Sequence, residues 1–346
     1  MSQGPMDGPG TGETMAAGAG ARAGAGRGTG GRPRRWRQTV LAALVTGAVV
    51  LPLSAAARPV IPAPEPVALT PVTAAALEET YAANRANAAE ASRMAADHGD
   101  RHRAAADRSL AGPSRQLLAF DGRGAGLATE VLGDLARAGH VAVLVPGSDT
   151  GLDTYDRFRT AAAALYERLR SGGAGPAAVV AWLGYETPGT VSTTVATTGR
   201  AEQAAPRLRA LVEQVRGITG GHAHISLLCH SYGSVVCGRA AHGLDVSDIA
   251  LVGSPGTGAD SAAALRTRAR IWAGRGSGDW VENVPHVSVG LFGATVGFGT
   301  DPVSPAFGAR VFAAGDGGHS DYFDPDSRSL TNLARIALGE TTEVTP

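Results

Sequence analysis

Ser231 stands in the segment ISLLCHSYGSVV, where an apolar run ending at Cys229 passes through His230-Ser231-Tyr232 into a helical pattern starting at Gly233. A serine on a sharp strand-to-helix turn is presented to substrate beside the positive end of the helix dipole, which favours the negative charge that develops during attack. Such a turn is tight and tolerates only small residues two positions before and two after the serine. Cys229 and Gly233 meet that demand, with Cys standing where Gly is usual. A serine hydroxyl is a weak nucleophile near neutral pH. It needs a base, and the base needs an acid that fixes its tautomer. On this kind of turn the expected chain order is Ser, then Asp or Glu, then His.

Downstream of Ser231 lie His242, His286 and His319. His242 belongs to the helix that follows the serine and points to the wrong side of the sheet. His319, in GDGGHSDYF, follows the last strand-like run, and the glycines before it let the loop fold over a nucleophile; His286 is the runner-up. The acid should come from the loop after IWAG, where the first carboxylate is Asp279, with Glu282, Asp301 and Asp316 as alternatives. A competing role for Asp279 is the N-cap of the next short turn. Two backbone N–H groups must meet the tetrahedral oxygen. Tyr232, directly after the serine, supplies one; Ser148 in PGSDTG supplies the other, with Gly147 keeping the approach open. A phosphate-cradling role for PGSDTG fails, because a P-loop needs its Lys and this chain contains none.

These residues need a scaffold that brings distant loops together. From Pro113 onward short β-type runs alternate with helical patterns, as in an α/β sheet. The expected strands are 116–120, 127–132, 140–145, 177–183, 224–229, 248–253, 269–274 and 309–314. Helices are expected near 154–170, 199–216, 233–243, 259–265 and 327–338. The first strands, separated by Gly-rich turns, should pair antiparallel; from Val141 onward the strands are nearly all apolar, as strands covered on both faces must be. An uncharged, Thr-rich stretch within 184–206 is placed where a loop could cover the site.

The chain's 31 basic and 31 acidic residues cancel, which argues against a nucleic-acid partner held by bulk charge. With only two cysteines, a disulfide scaffold and a Cys-rich zinc site are excluded. A bridge between Cys229 and Cys237 is not expected either, since a strand end and the following helix should hold their Cα atoms beyond the ~7 Å limit. His222 and His224 precede a strand with no carboxylate close in sequence, so no metal is expected there. Residues 1–38 read as a disordered Gly/Ala/Arg-rich tail, and 39–57, uncharged and preceded by four arginines, as a signal peptide or membrane anchor. Residues 58–71 form a Pro-rich linker, 72–112 an Ala-rich helical appendage, and 113–340 the main domain.

The ordered motifs RQLLAFDGRGAG, GHVAVLVPGSDTGLDTYDRF, AVVAWLGYETPG, ISLLCHSYGSVV, LVGSPG, IWAGRGSGDWV and FGARVFAAGDGGHSDYF resemble an actinobacterial α/β-hydrolase family long labelled as of unknown function, over Gln116 to Leu338. The resemblance implies an α/β-hydrolase fold: a mostly parallel sheet of about eight strands with helices on both faces. It also points to Ser231, Asp279 and His319, and it supplies no substrate. The family's usual Gly before the His-Ser pair is Cys229 here. Together these features lead us to expect a cofactor-free serine hydrolase of small-molecule or lipid esters acting outside the cytoplasm, with residues 39–57 as its contact with the membrane. The alternatives are an acyltransferase with the same triad and a non-catalytic, envelope-tethered binding module.

Overall fold

The computed structural model describes residues 61–67, 72–173, 175–190, 197–284, 289–291 and 294–346. The expected tail (1–38) and signal or anchor segment (39–57), together with His286, lie outside the described residues. Among the described residues no helix is long and apolar enough to cross a membrane.

Among the described residues there are ten strands: β1 (Gln116–Asp121), β2 (Leu127–Leu132), β3 (His140–Val145), β4 (Ala177–Leu183), β5 (His224–His230), β6 (Asp248–Val252), β7 (Arg270–Gly274), β8 (Val289–Leu291), β9 (Ala294–Val296) and β10 (Arg310–Val311). Eight build one sheet in the order β1-β2-β4-β3-β5-β6-β7-β10, while β8 and β9 form a separate hairpin. β2 runs antiparallel to both β1 and β4, whereas β4, β3, β5, β6, β7 and β10 pair in parallel.

The helices are α1 (Leu77–Asp97), α2 (Arg101–Leu110), α3 (Tyr155–Ser171), α4 (Gly199–Ile218), α5 (Gly233–Ala240) and α6 (Arg328–Ala337). Alternation along the strands divides the core between the two faces of the sheet. Val141, Val143, Leu227 and Leu251 face Leu208 and Val215 of α4 and Val235 of α5. Ala142, Leu144, Leu228 and Ala250 face Leu165 and Leu169 of α3 and Leu333 and Ile336 of α6. This is why the central strands read as unbroken apolar runs: neither face meets water.

Three expectations need correction. The segment 72–112 is no appendage. Leu77 and Tyr81 enter the main core, and Ala88, Ala91 and Leu110 pack with Leu117 and Phe120 of β1. Its small alanines let α1 lie close to β1, where a register shift between Leu117 and Ala119 interrupts the ladder. The Asn84 amide donates to the Leu117 and Leu118 carbonyls at 3.2 and 3.3 Å. The helix expected over 259–265 is only a single turn, Ala263–Leu265. His224 does have a carboxylate: Asp248 of the adjacent β6 lies 2.9 Å from its Nε2, brought there by the parallel register that sets Asp248 beside Ser226.

Candidate active site

The end of β5 carries the strained turn. Ser231 has φ +53°, a left-handed conformation that a side chain adopts at a cost of order 1–3 kcal/mol unless its surroundings enforce it. Here they do: the Ser231 N–H donates to Val252 O at 2.9 Å, at the end of neighbouring β6. A Cβ on Gly233 would come within 2.5 Å of Val145 O, and one on Gly147 within 2.6 Å of Ser231 Cβ. These two positions therefore have to be glycine, or the β3 loop would be pushed off the serine.

The turn also overturns the expectation that Cys229 and Cys237 stay apart. They form a disulfide, with Cα atoms 6.5 Å apart, because α5 folds back across the end of β5 more tightly than a strand end followed by a helix would suggest. Cys229 thus fills the small-residue position before the serine and at the same time ties strand to helix. Among the described residues no cysteine is free.

The loops after β7 and β10 bring the other two residues to Ser231. His319 Nε2 lies 2.9 Å from Ser231 Oγ, and His319 Nδ1 lies 2.9 and 3.1 Å from the two oxygens of Asp279. A carboxylate only accepts, so Nδ1 carries the ring proton and Nε2 is left to accept from the serine hydroxyl. Beside this contact with His319, Asp279 caps the turn Trp280–Asn283, accepting from Val281 N at 2.9 Å. Burial alone would push its carboxyl up, but the hydrogen bonds from His319, Tyr322 and Val281 hold it below the usual carboxylate range. The alternatives lie elsewhere. Asp301 pairs with Arg275 at 2.7 Å, Glu282 and Asp316 are exposed, and exposed His242 lies 3.4 Å from Arg266 O.

Two members of this network were not foreseen. The Tyr322 hydroxyl donates to Asp279 Oδ2 at 2.5 Å and accepts from Gly276 N at 3.1 Å. His230, read only as part of the turn, donates from Nε2 to the backbone carbonyl of His319 at 2.7 Å. Burial, reinforced by the neighbouring His319 ring, pushes the His230 pKa down from 6.5 to about 4, so it is neutral at ordinary pH. Its ring lies 4.8 Å from that of His319, and half-exposed Trp280 approaches the same ring at 4.7 Å. A Tyr three residues after the histidine and a His before the serine were the available signals, but neither declares a partner in sequence.

Ser231 and His319 open into a cavity of about 840 Å³ whose walls are largely apolar, among them Leu144, Phe158, Leu228, Val281, Phe298 and Phe323. Ser148 and Tyr232 both line it. The loop bearing Ser148 is held from the Thr-rich stretch: Asp149 N donates to Pro188 O at 3.0 Å, Thr150 N to Thr187 Oγ1 at 3.1 Å, and Tyr185 OH to Pro146 O at 2.6 Å. Thr190 lines the cavity, while residues 191–196, the rest of the stretch expected to cover the site, lie outside the described residues. The arrangement can deliver a serine oxygen to an electrophile bound against apolar walls and pass its proton to an imidazole whose far nitrogen is pinned.

Residues 121–289 match the model of a family described as alpha/beta hydrolase. Two uncharacterized proteins of Mycobacterium tuberculosis strains are 30% identical over 253 residues, covering 64% of this chain. The match spans only 38% of the length of those relatives. Among solved structures, a lidless α/β serine hydrolase from Xanthomonas campestris aligns at 19% identity and TM-score 0.42, over 68% of this chain and 98% of its own. The esterase LipW from Mycobacterium marinum aligns at 14% identity and TM-score 0.41, over 74% of this chain and 91% of its own.

Proposed function

Taking the chain as an α/β hydrolase, the family whose model its residues 121–289 match, we propose that it is a serine hydrolase of carboxylic esters acting through Ser231, His319 and Asp279. The observation that carries this reading is the continuous line from Ser231 Oγ through His319 to Asp279, with contacts of 2.9 Å on each side of the ring. Ser231 attacks the ester carbonyl while His319 Nε2 takes its proton. Asp279 holds the Nδ1 proton in place and balances the imidazolium that forms. The backbone N–H groups of Ser148 and Tyr232 receive the oxyanion. His319 then returns its proton to the departing alcohol, and water drawn in by the same imidazole releases the acid.

We further propose that the chain acts outside the cytoplasm. The Cys229–Cys237 bond supports this, because structural disulfides persist in oxidising compartments, and so does the arginine-flanked, uncharged segment 39–57. Fluorophosphonate labelling of the purified protein beside its Ser231→Ala variant tests the chemistry. Labelling of the parent alone is expected. An unlabelled parent, or equal labelling of both, rejects Ser231 as the nucleophile.

A further inference from the structure

The cavity wall carries an exposed arginine that is held by no side-chain partner among the described residues. Arg157, in the first turn of α3, lines the same cavity as Ser231 and His319, and among the described residues it forms no ion pair or hydrogen bond. Its neighbours differ. Arg159 is held by Glu130 at 3.0 Å, and Arg103 by Asp153 at 2.9 Å. Among the described residues Asp149 is the one acidic side chain lining the cavity; its two oxygens accept from Thr190 N at 3.1 and 3.2 Å, and it forms no ion pair with Arg157. The charge of Arg157 is felt inside the protein, where it adds to burial and His319 in lowering the pKa of His230.

Resting on the serine-hydrolase reading, we infer that Arg157 is a specificity residue that selects esters bearing an anionic group, a carboxylate or a phosphate, beside an apolar body. The planar guanidinium offers paired donors matched to the oxygens of either group. Arg157 is exposed, and an ester body seated on the apolar walls beside it would shield the pair from solvent and strengthen it. The anionic group takes no part in the reaction: the acyl C–O bond breaks, one water is consumed, and an acid and an alcohol leave.

The test uses the full chain and two matched pairs of esters. An aryl butyrate against the aryl hemisuccinate places a carboxylate on the acyl side at equal chain length. Monobutyrylglycerol against its 3-phosphate places a phosphate on the alcohol side. In at least one pair the parent should prefer the anionic member, and Arg157→Gln should lower the ratio of kcat/KM, anionic over neutral, by about 10- to 100-fold, the worth of a charge-assisted hydrogen bond. Arg157→Glu should lower it further. Which pair responds identifies the side of the ester that Arg157 reads. A ratio near one in the parent for both pairs, or a ratio unmoved by both substitutions, overturns the inference. If no ester is turned over and fluorophosphonate leaves Ser231 unlabelled, the hydrolase reading itself has failed and this inference falls with it.

Discussion

Two histidine–aspartate pairs sit at opposite edges of the same parallel sheet, each at 2.9 Å: His319–Asp279 beyond the C-terminal ends of the strands, and His224–Asp248 at their starts. Both aspartates are buried, and both are held below the ordinary carboxylate range by hydrogen bonds that outweigh burial. The difference lies in what else each pair touches. Asp248 is saturated by Arg270 at 2.7 Å through both its oxygens and by Trp272 Nε1 at 2.8 Å. Asp279 is held by groups that orient it, and the far nitrogen of its histidine meets a serine on a strained turn at the mouth of a cavity. A close His–Asp approach alone is therefore no mark of a catalytic device. The open nitrogen and its oxygen partner make the distinction.

Substitutions at the two aspartates should separate these roles. Asp279→Asn removes the acceptor that fixes the His319 tautomer, and kcat on a simple aryl ester should fall about 10⁴-fold with the melting temperature nearly unchanged. Asp248→Asn should do the reverse, leaving kcat intact and costing about 3 kcal/mol in denaturant unfolding. That is the low end for a broken buried pair, because Arg270 is 35% exposed and can be rehydrated. If Asp248→Asn lowers kcat as far as Asp279→Asn, the contrast between the two edges is wrong.

A smaller effect is expected at the turn. Replacing Cys229 and Cys237 together by serine opens a loop with a sequence separation of 8, for which chain entropy gives about 2–3 kcal/mol. The loss should appear in thermal unfolding, and reductant should lower the parent to the level of the double variant. A variant as stable as the parent would mean that packing of β5 on α5 alone holds the turn.

A pH-dependent effect concerns His230. In the unfolded chain a histidine takes up its proton near 6.5; here it does so only near 4. Between those values the unfolded state binds a proton that the folded state does not, so stability is lost as pH falls from 6.5 to 4. His230→Gln removes the titration and should flatten that stretch of the stability curve, measured by urea unfolding at several pH values. An unchanged slope would place the acid sensitivity elsewhere.

Much of the scaffold was legible, for a physical reason. Strands β3 and β4 match the expected bounds 140–145 and 177–183 because runs buried on both faces are nearly all apolar and end at Gly or Pro, and β2 matches 127–132 between Gly126 and Gly133 although it carries Thr129 and Glu130. The C-terminal strand was less visible. The run expected over 309–314 pairs only at Arg310–Val311, since an edge strand lacks a second neighbour to extend it. The candidate site was legible as a set of residue types in chain order: Ser231, Asp279 and His319 are brought into contact as that order requires. Tyr322, the His230–His319 carbonyl bond and the Asp248 partnership were not legible, because each depends on which loops or strands meet. The disulfide was missed because the distance across a turn depends on how sharply it folds, and a one-dimensional spacing does not encode sharpness. The closeness of α1 to β1 was missed because alanines look like a weak face until the partner is known to be an irregular edge that needs close approach and an amide.

The central claim is that Ser231 forms a covalent bond to substrate. Rapid mixing of the protein with an excess of an activated aryl ester, acid quench and intact-mass analysis test it most directly. The account predicts a burst of alcohol equal to the protein concentration and a single acyl group that maps to the peptide containing Ser231, both lost in Ser231→Ala. Ester turnover with the acyl group on another residue, or a burst that survives in Ser231→Ala, would contradict it.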